Sequence, residues 1–246
     1  MKHLKLFLYP IVLLISFSLF SSCKKKKDET SILLQDVEGN KYKTITIGTQ
    51  TWMAENLKTS KYNDGSEIPN VTDPTIWSNV TSGAQCIYNN SKNIDTLSAF
   101  GRLYNWNAII SGKLAPKGWH IPSETEWIVF KNYLIANGFN YDGTTVENRI
   151  AKSLADTTGW NAHLLISEIG LIVNNQLLNN KSGFMAKPAG IRTLNGLFID
   201  CGDGANWWSS TNDDWGNTFS LYFYYVGLMN NGGDSNAGLS VRCVKD

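Results

Sequence analysis

Charge is scarce in this chain. Asp, Glu, Lys and Arg make up only 17% of its 246 residues, and 22 basic side chains nearly balance 21 acidic ones. No basic excess exists to track a nucleic-acid backbone, so nucleic acid is not an expected partner. Histidine is rarer, with three in all. Only His120 and His163 stand beyond the extreme N-terminus, which excludes a histidine-rich metal site. The four cysteines, Cys23, Cys86, Cys201 and Cys243, form no Cys-x-x-Cys pair of the kind that holds zinc or does redox work. Glycine-rich loops with phosphate-binding spacing are missing, as is a Ser-His-Asp arrangement. No apolar run reaches the roughly 20 residues that a membrane-crossing helix needs.

What is abundant is aromatic: 9 Trp, 10 Tyr and 10 Phe, with many Asn and 21 Gly. Low charge with many aromatics, Asn and Gly suggests a loop-rich extracytoplasmic domain rather than a cytosolic enzyme. Such side chains suit sugar binding, and they also fill the cores of loop-rich folds.

The N-terminus predicts export. Lys2 and Lys5 precede an apolar run over 6–20, broken only by Pro10 and two serines. At 15 residues this is the core of a cleavable signal peptide rather than a membrane span. It ends in Leu19-Phe20-Ser21-Ser22-Cys23, which resembles the lipobox of bacterial lipoproteins, where the cysteine becomes the first residue and carries lipid. The expected organisation is a signal peptide over 1–22, a lipidated tether over 23–35 and one domain over 36–246. Lys24 to Lys27, Asp28 and Glu29 form a charged, apolar-free spacer. They loosely resemble surface-display signals of Bacteroidota. The implied location is the outer membrane, lipid-anchored through Cys23, with display at the cell surface. Beyond residue 29 the chain carries 16 basic and 19 acidic side chains, so lipid is its expected membrane partner.

With Cys23 committed to lipid, Cys86, Cys201 and Cys243 remain in an oxidising compartment. One disulfide and one odd thiol are expected, with three pairings open.

Along the chain, 36–50 reads as a hairpin turning at Glu38-Gly39-Asn40, with Tyr42, Ile45 and Ile47 as strand formers. Residues 60–98 are rich in Asn, Asp and Ser and predict mostly loop. Leu103, Trp106 and Ile110 share a helical face within 100–110. The clearest signal is Ser123-Glu124-Thr125-Glu126, a capping box before Trp127, Phe130 and Leu134. It predicts a helix that stops at Asn137-Gly138. A further short helix is expected over 147–154. From Gly159 onward short strands and turns follow, including 206–211, 218–226 and 239–244.

Six segments in order resemble one bacterial family. They are Asp36-Val37-Glu38-Gly39-Asn40, Trp52-Met53-Ala54-Glu55-Asn56-Leu57, Leu103-Tyr104-Asn105-Trp106, Pro116-Lys117-Gly118-Trp119-His120-Ile121-Pro122, Trp207-Trp208-Ser209-Ser210 and Ser240-Val241-Arg242-Cys243. The chain resembles the Fibrobacter succinogenes major paralogous domain, found in exported proteins of Fibrobacter and Bacteroidota. That family is in turn similar to C-type lectin-like folds, including the formylglycine-generating enzymes. The resemblance implies an α+β fold: two helices, over 100–110 and 123–137, around a small twisted antiparallel sheet with long loops. It also implies a Cys86–Cys243 disulfide, although Ala115 stands where family members often carry a cysteine.

Chemistry is sparse. A copper-binding enzyme of the formylglycine-generating type would need Cys201 and Cys243 together, and neither lies in a matching motif. His120, before a helix N-terminus, is better read as structural than as an acid or base. Calcium is the one metal the composition admits, through Asp200-Cys201-Gly202-Asp203-Gly204 and Asn212-Asp213-Asp214. No resident cofactor and no catalytic residue are otherwise expected. Asp95-Thr96-Leu97 and Asp156-Thr157-Thr158 resemble a short O-glycosylation motif of Bacteroidota. Trp207, Trp208, Trp215 and Tyr224 are the candidates for a ligand platform. On a strand Trp207 and Trp208 must face opposite ways, leaving at most one at the surface. The expectation is a non-enzymatic envelope binding or adhesion module for a polysaccharide or protein. The alternatives are an enzyme on the formylglycine-generating fold and a structural accessory subunit of an envelope complex.

Overall fold

The computed structural model describes residues 34–163, 168–211 and 216–246. The expected signal peptide, Cys23 and the tether up to residue 33 lie outside the described residues, as do Asn212, Asp213, Asp214 and Trp215.

Short elements dominate, because Gly and Asn punctuate the chain. The single expected hairpin is two. β1 (Leu34–Gln35) and β2 (Lys41–Tyr42) flank the Gly39 turn, and β3 (Thr44–Ile47) and β4 (Gln50–Met53) flank Gly48. Asp36 holds the first turn by accepting from the Glu38 and Asn40 amides, both at 3.0 Å. The next stretch contains α1 (Pro74–Asn79), β5 (Gln85–Cys86) and α2 (Ile94–Phe100). Then come β6 (Leu103–Tyr104), α3 (Trp106–Ile110), β7 (Trp119–His120), α4 (Glu124–Ala136) and α5 (Ala151–Leu154). The C-terminal part is strand-rich: β8 (Ala189–Arg192), β9 (Phe198–Cys201), β10 (Gly204–Trp208), β11 (Asn217–Tyr222), β12 (Met229–Gly232) and β13 (Val244–Lys245).

The helix expected over 100–110 does not form as one piece. Gly101 sits at φ +73°, where an added Cβ would lie 2.7 Å from the Leu57 carbonyl oxygen. The chain turns there, runs as β6, and restarts at Asn105, whose side chain accepts from the Ala108 amide to cap α3. Leu103 therefore lies on β6, outside the helix that holds Trp106 and Ile110, and Ile110 is exposed. By contrast α4 has its full capping box, with Ser123 and Glu126 bonded reciprocally, and buries Trp127, Phe130 and Leu134. The helix expected over 147–154 shrinks to α5.

The α+β arrangement with two helices around one small twisted sheet is overturned. Among the described residues thirteen strands make five separate small sheets, beside five short helices. The largest sheet, ordered β3-β4-β13-β7, brings the C-terminal strand against the early hairpin through Val244 and Trp52. A second has the order β10-β11-β12, and β1-β2, β5-β6 and β8-β9 are simple pairs. Among the described residues the longest strand has only six residues, too short for one sheet to organise the domain.

The core divides accordingly. One cluster gathers Trp52, Trp127, Phe130, Phe184, Trp207 and Phe219. Another holds Tyr42, Met53, Tyr104, Trp106, Trp208 and Cys243. A third, smaller one surrounds Trp77 and Cys86. The expected Cys86–Cys243 disulfide is absent, and Cys86, Cys201 and Cys243 are all free. The reason is positional, since Cys86 and Cys243 are buried in different clusters. Burial pushes the Cys86 thiol up to about 11, and it raises the Cys243 thiol further.

Candidate functional site

The residues singled out by the sequence motifs converge, but inward. Asn56 is buried, and its Oδ1 accepts from Trp207 Nε1 and from Arg242 Nε, each at 3.0 Å. Its Nδ2 donates to the Phe100 carbonyl at 2.8 Å and to Ser240 Oγ at 3.2 Å. Three motifs distant in sequence thus meet at one amide. Arg242 is also buried, donates to the Phe184 and Met185 carbonyls and stacks 4.1 Å from the Phe184 ring centroid. Desolvation pulls its pKa down to about 9. A guanidinium satisfied by carbonyls and an amide is a structural brace, not a ligand group.

Trp207 and Trp208 do face opposite ways, as the strand period requires, but neither reaches solvent: both are 0% exposed. Trp207 enters the first core cluster, and Trp208 enters the second and donates to the Tyr104 carbonyl at 2.7 Å. They cannot form a platform, because both faces of β10 are covered at that point. Trp215 lies outside the described residues.

Tyr224 is different. It is 48% exposed and belongs to an aromatic group with Tyr222 and Tyr225. Its ring stacks on Tyr222 at 5.6 Å and 25°, and lies 4.4 Å from Tyr225. These rings wall a cleft of about 440 Å³ over one face of the β10–β12 sheet. That size falls within the range of small-molecule sites.

Period-two alternation builds the cleft floor. Ala205, Trp207, Phe219 and Leu221 point into the first core cluster. Asn206, Thr218 and Tyr222, of opposite parity, line the cleft with Asn231. The floor is ordered by its own bonds. Tyr222 donates to Asn206 Oδ1 at 3.1 Å, and Asn231 Nδ2 to Ser220 Oγ at 2.8 Å. Asp234 closes one rim and accepts from the Asn236 amide at 3.0 Å. One polar atom on this floor has no partner: Asn206 Nδ2, on a residue only 5% exposed.

Burial, then the nearby Asp200 carboxylate, raises the Tyr222 phenol. Tyr224 is raised by burial, Tyr225 and Asp200. The rings therefore keep neutral hydroxyls that can donate and accept. Of the residues lining this cleft, only Tyr224 stands among the platform candidates that the sequence offers. The run Tyr222-Phe223-Tyr224-Tyr225 was visible, but its partners Asn206, Asn231 and Asp234 are assembled by strand pairing.

The remaining candidates fall elsewhere. His120 bonds Glu126 Oε1 and Asp246 Oδ1, each at 2.7 Å, and so ties β7 to α4 and to the residue that follows β13. In the candidate calcium loop, Asp203 Oδ1 accepts from Asn161 and contacts His163 Nε2 at 2.8 Å. No cluster of three or more His, Cys, Asp or Glu that could hold a metal occurs among the described residues. Cys201 is half-buried on β9, whereas Cys243 is buried in the second core cluster.

Comparison with protein families gives the family that the motifs resemble. The Fibrobacter succinogenes major domain family model matches residues 45–245. The chain belongs to that family. The match spans β3 to β13 and thus includes both large sheets, the Asn56 brace and the tyrosine cleft. No curated protein and no solved structure matches the chain significantly.

Proposed function

We propose that this family member is a lipid-anchored binding module of the cell envelope, whose tyrosine cleft receives an extracellular glycan or a protein segment. The observation that carries the reading is the cleft itself: exposed Tyr224 and Tyr225 over a polar floor holding an unpaired amide. Tyrosine offers a large rigid face with a polar tip, which suits recognition at little entropic cost. The run over 6–20 and the lipobox-like Ser21-Ser22-Cys23 support export, lipidation at Cys23 and an outer-membrane position facing the exterior.

Binding rather than catalysis is favoured because the groups an enzyme would need are occupied structurally. His120 is held between two carboxylates, and the buried Cys243 thiol is raised in pKa, which suits neither a nucleophile nor a copper ligand. The test is capture by the immobilised full-length protein from glycan libraries and envelope protein fractions. Wild type should retain a specific partner, and the Tyr224→Ala/Tyr225→Ala double variant should lose it. Equal retention by both would refute the cleft as the receiving site.

A further inference from the structure

Resting on the reading of the cleft as a receiving site, we infer that its ligand is an uncharged glycan, held by a hydrogen bond from Asn206 Nδ2 to a sugar oxygen and by stacking on Tyr224 and Tyr225. Three observations lead there. The first is the unpaired amide. Asn206 is 5% exposed, its Oδ1 is used by Tyr222, and its Nδ2 has no partner. A buried donor left unmade is costly, and a ligand oxygen would satisfy it.

The second is charge. Among the described residues no Lys or Arg lines the cleft, whereas Asp234 stands on its rim. Asp200 lies near enough to the tyrosines to perturb Tyr222 and Tyr224. A uronate, sulfate or phosphate would meet these carboxylates with no cation to offset them. Neutral hydroxyls, by contrast, can both donate to Asp234 and Asn231 and accept from Asn206.

The third is position. In the order β10-β11-β12 the outer edge of β10 is already bonded to Ser240, so a peptide added as a strand would pair along β12. Asn206 lies on β10, two strands away, and its amide would stay unpaired. Asn206 lines the cleft together with Tyr222, Tyr224 and Tyr225, so a ring lying on the tyrosines stands over its side chain. The apolar C–H face of a pyranose matches an exposed phenol ring, and its rim hydroxyls match the amides beneath.

Isothermal titration of the full-length protein decides the matter. The neutral probes are cellohexaose, xylohexaose and mannohexaose. The charged probes are hexagalacturonate and dextran sulfate, and a panel of extended peptides covers strand addition. One neutral hexasaccharide should bind, and the anionic probes should not. Asn206→Leu keeps the side-chain size, adds no charge and removes the donor together with the acceptor that Tyr222 uses, and it should weaken binding about tenfold, the worth of one good hydrogen bond. Tyr224→Ala, at a position 48% exposed, should weaken it by a similar factor. Preference for an anionic probe, or binding of peptides alone, overturns the inference while leaving the cleft as a binding site if Tyr224→Ala abolishes that binding. Neutral-sugar binding indifferent to both substitutions, or no binding to any probe, overturns the inference and the cleft reading together.

Discussion

Asn56 shows how much one side chain can organise. Its four hydrogen bonds join Trp207, Arg242, Ser240 and the Phe100 carbonyl, so residues up to 186 positions apart share one amide. Replacing Asn56 with Ala leaves a buried indole N–H and a buried guanidinium each short of an acceptor. Such a loss costs about 3 kcal/mol, because the orphaned groups pay their desolvation without return. Urea unfolding of Asn56→Ala should show a lower midpoint with an unchanged slope. A midpoint equal to wild type would show that the brace is dispensable. The sequence marked Asn56, Trp207 and Arg242 as motif residues, yet gave no sign that they touch. The same holds for Trp207 and Trp208. Their opposite orientation follows from strand geometry, but burial of both required two core clusters that form only in three dimensions.

Elements differ in how locally they are determined. α4 was fully legible, because its capping box and its apolar i, i+3, i+7 face lie within its own residues. The stretch 100–110 was not, because Gly101 is forced to φ +73° by the approach of Leu57 and Asn56 from elsewhere in the chain. The clasp at His120 is likewise assembled from β7, α4 and the residue that follows β13. Burial works against the imidazolium, but hydrogen bonds to Asp246 and Glu126 outweigh it and raise the pKa above the ordinary 6.5. The clasp therefore stabilises fully below pH 6.5 and loses its contribution as pH rises through the raised folded value. Glu126 behaves oppositely. Burial would raise it, yet hydrogen bonds from Ser123 and His120 hold it below 4.5. Its share is complete above 4.5 and is lost as pH falls through the lowered value. Since all three groups are partly exposed, the effect is below about 1 kcal/mol. Melting temperatures measured from pH 4 to 9 should favour wild type over His120→Gln most between pH 4.5 and 6.5. The difference should narrow toward pH 9, and a constant difference across the range would remove the charge from the explanation.

For the whole molecule, the cysteines give the sharpest check. Cys86 and Cys243 are free and buried in separate clusters, and Cys201 is half-buried. Native protein should therefore protect Cys86 and Cys243 from alkylation, label Cys201 slowly, and keep its melting temperature in reductant. After unfolding, mass spectrometry should find these three thiols alkylated, with Cys23 blocked by lipid as proposed. A mass for a Cys86–Cys243 crosslinked peptide would contradict the structure. Cysteine arithmetic favoured a bond because an oxidising compartment permits one, but permission does not bring two side chains together.

The sequence alone settles what depends on neighbours in the chain: the α4 cap, the Glu38-Gly39-Asn40 turn, the alternation along β10, and the motif order that points to the family. It also marked Tyr224. Tertiary structure alone decided the division into five small sheets, the inward fate of both strand tryptophans and the assembly of Tyr222, Tyr224, Tyr225 and Asn206 around one cleft. The physical reason is that burial and unpaired polar groups are properties of packing between distant segments. No local pattern of residues fixes which strand will cover which face.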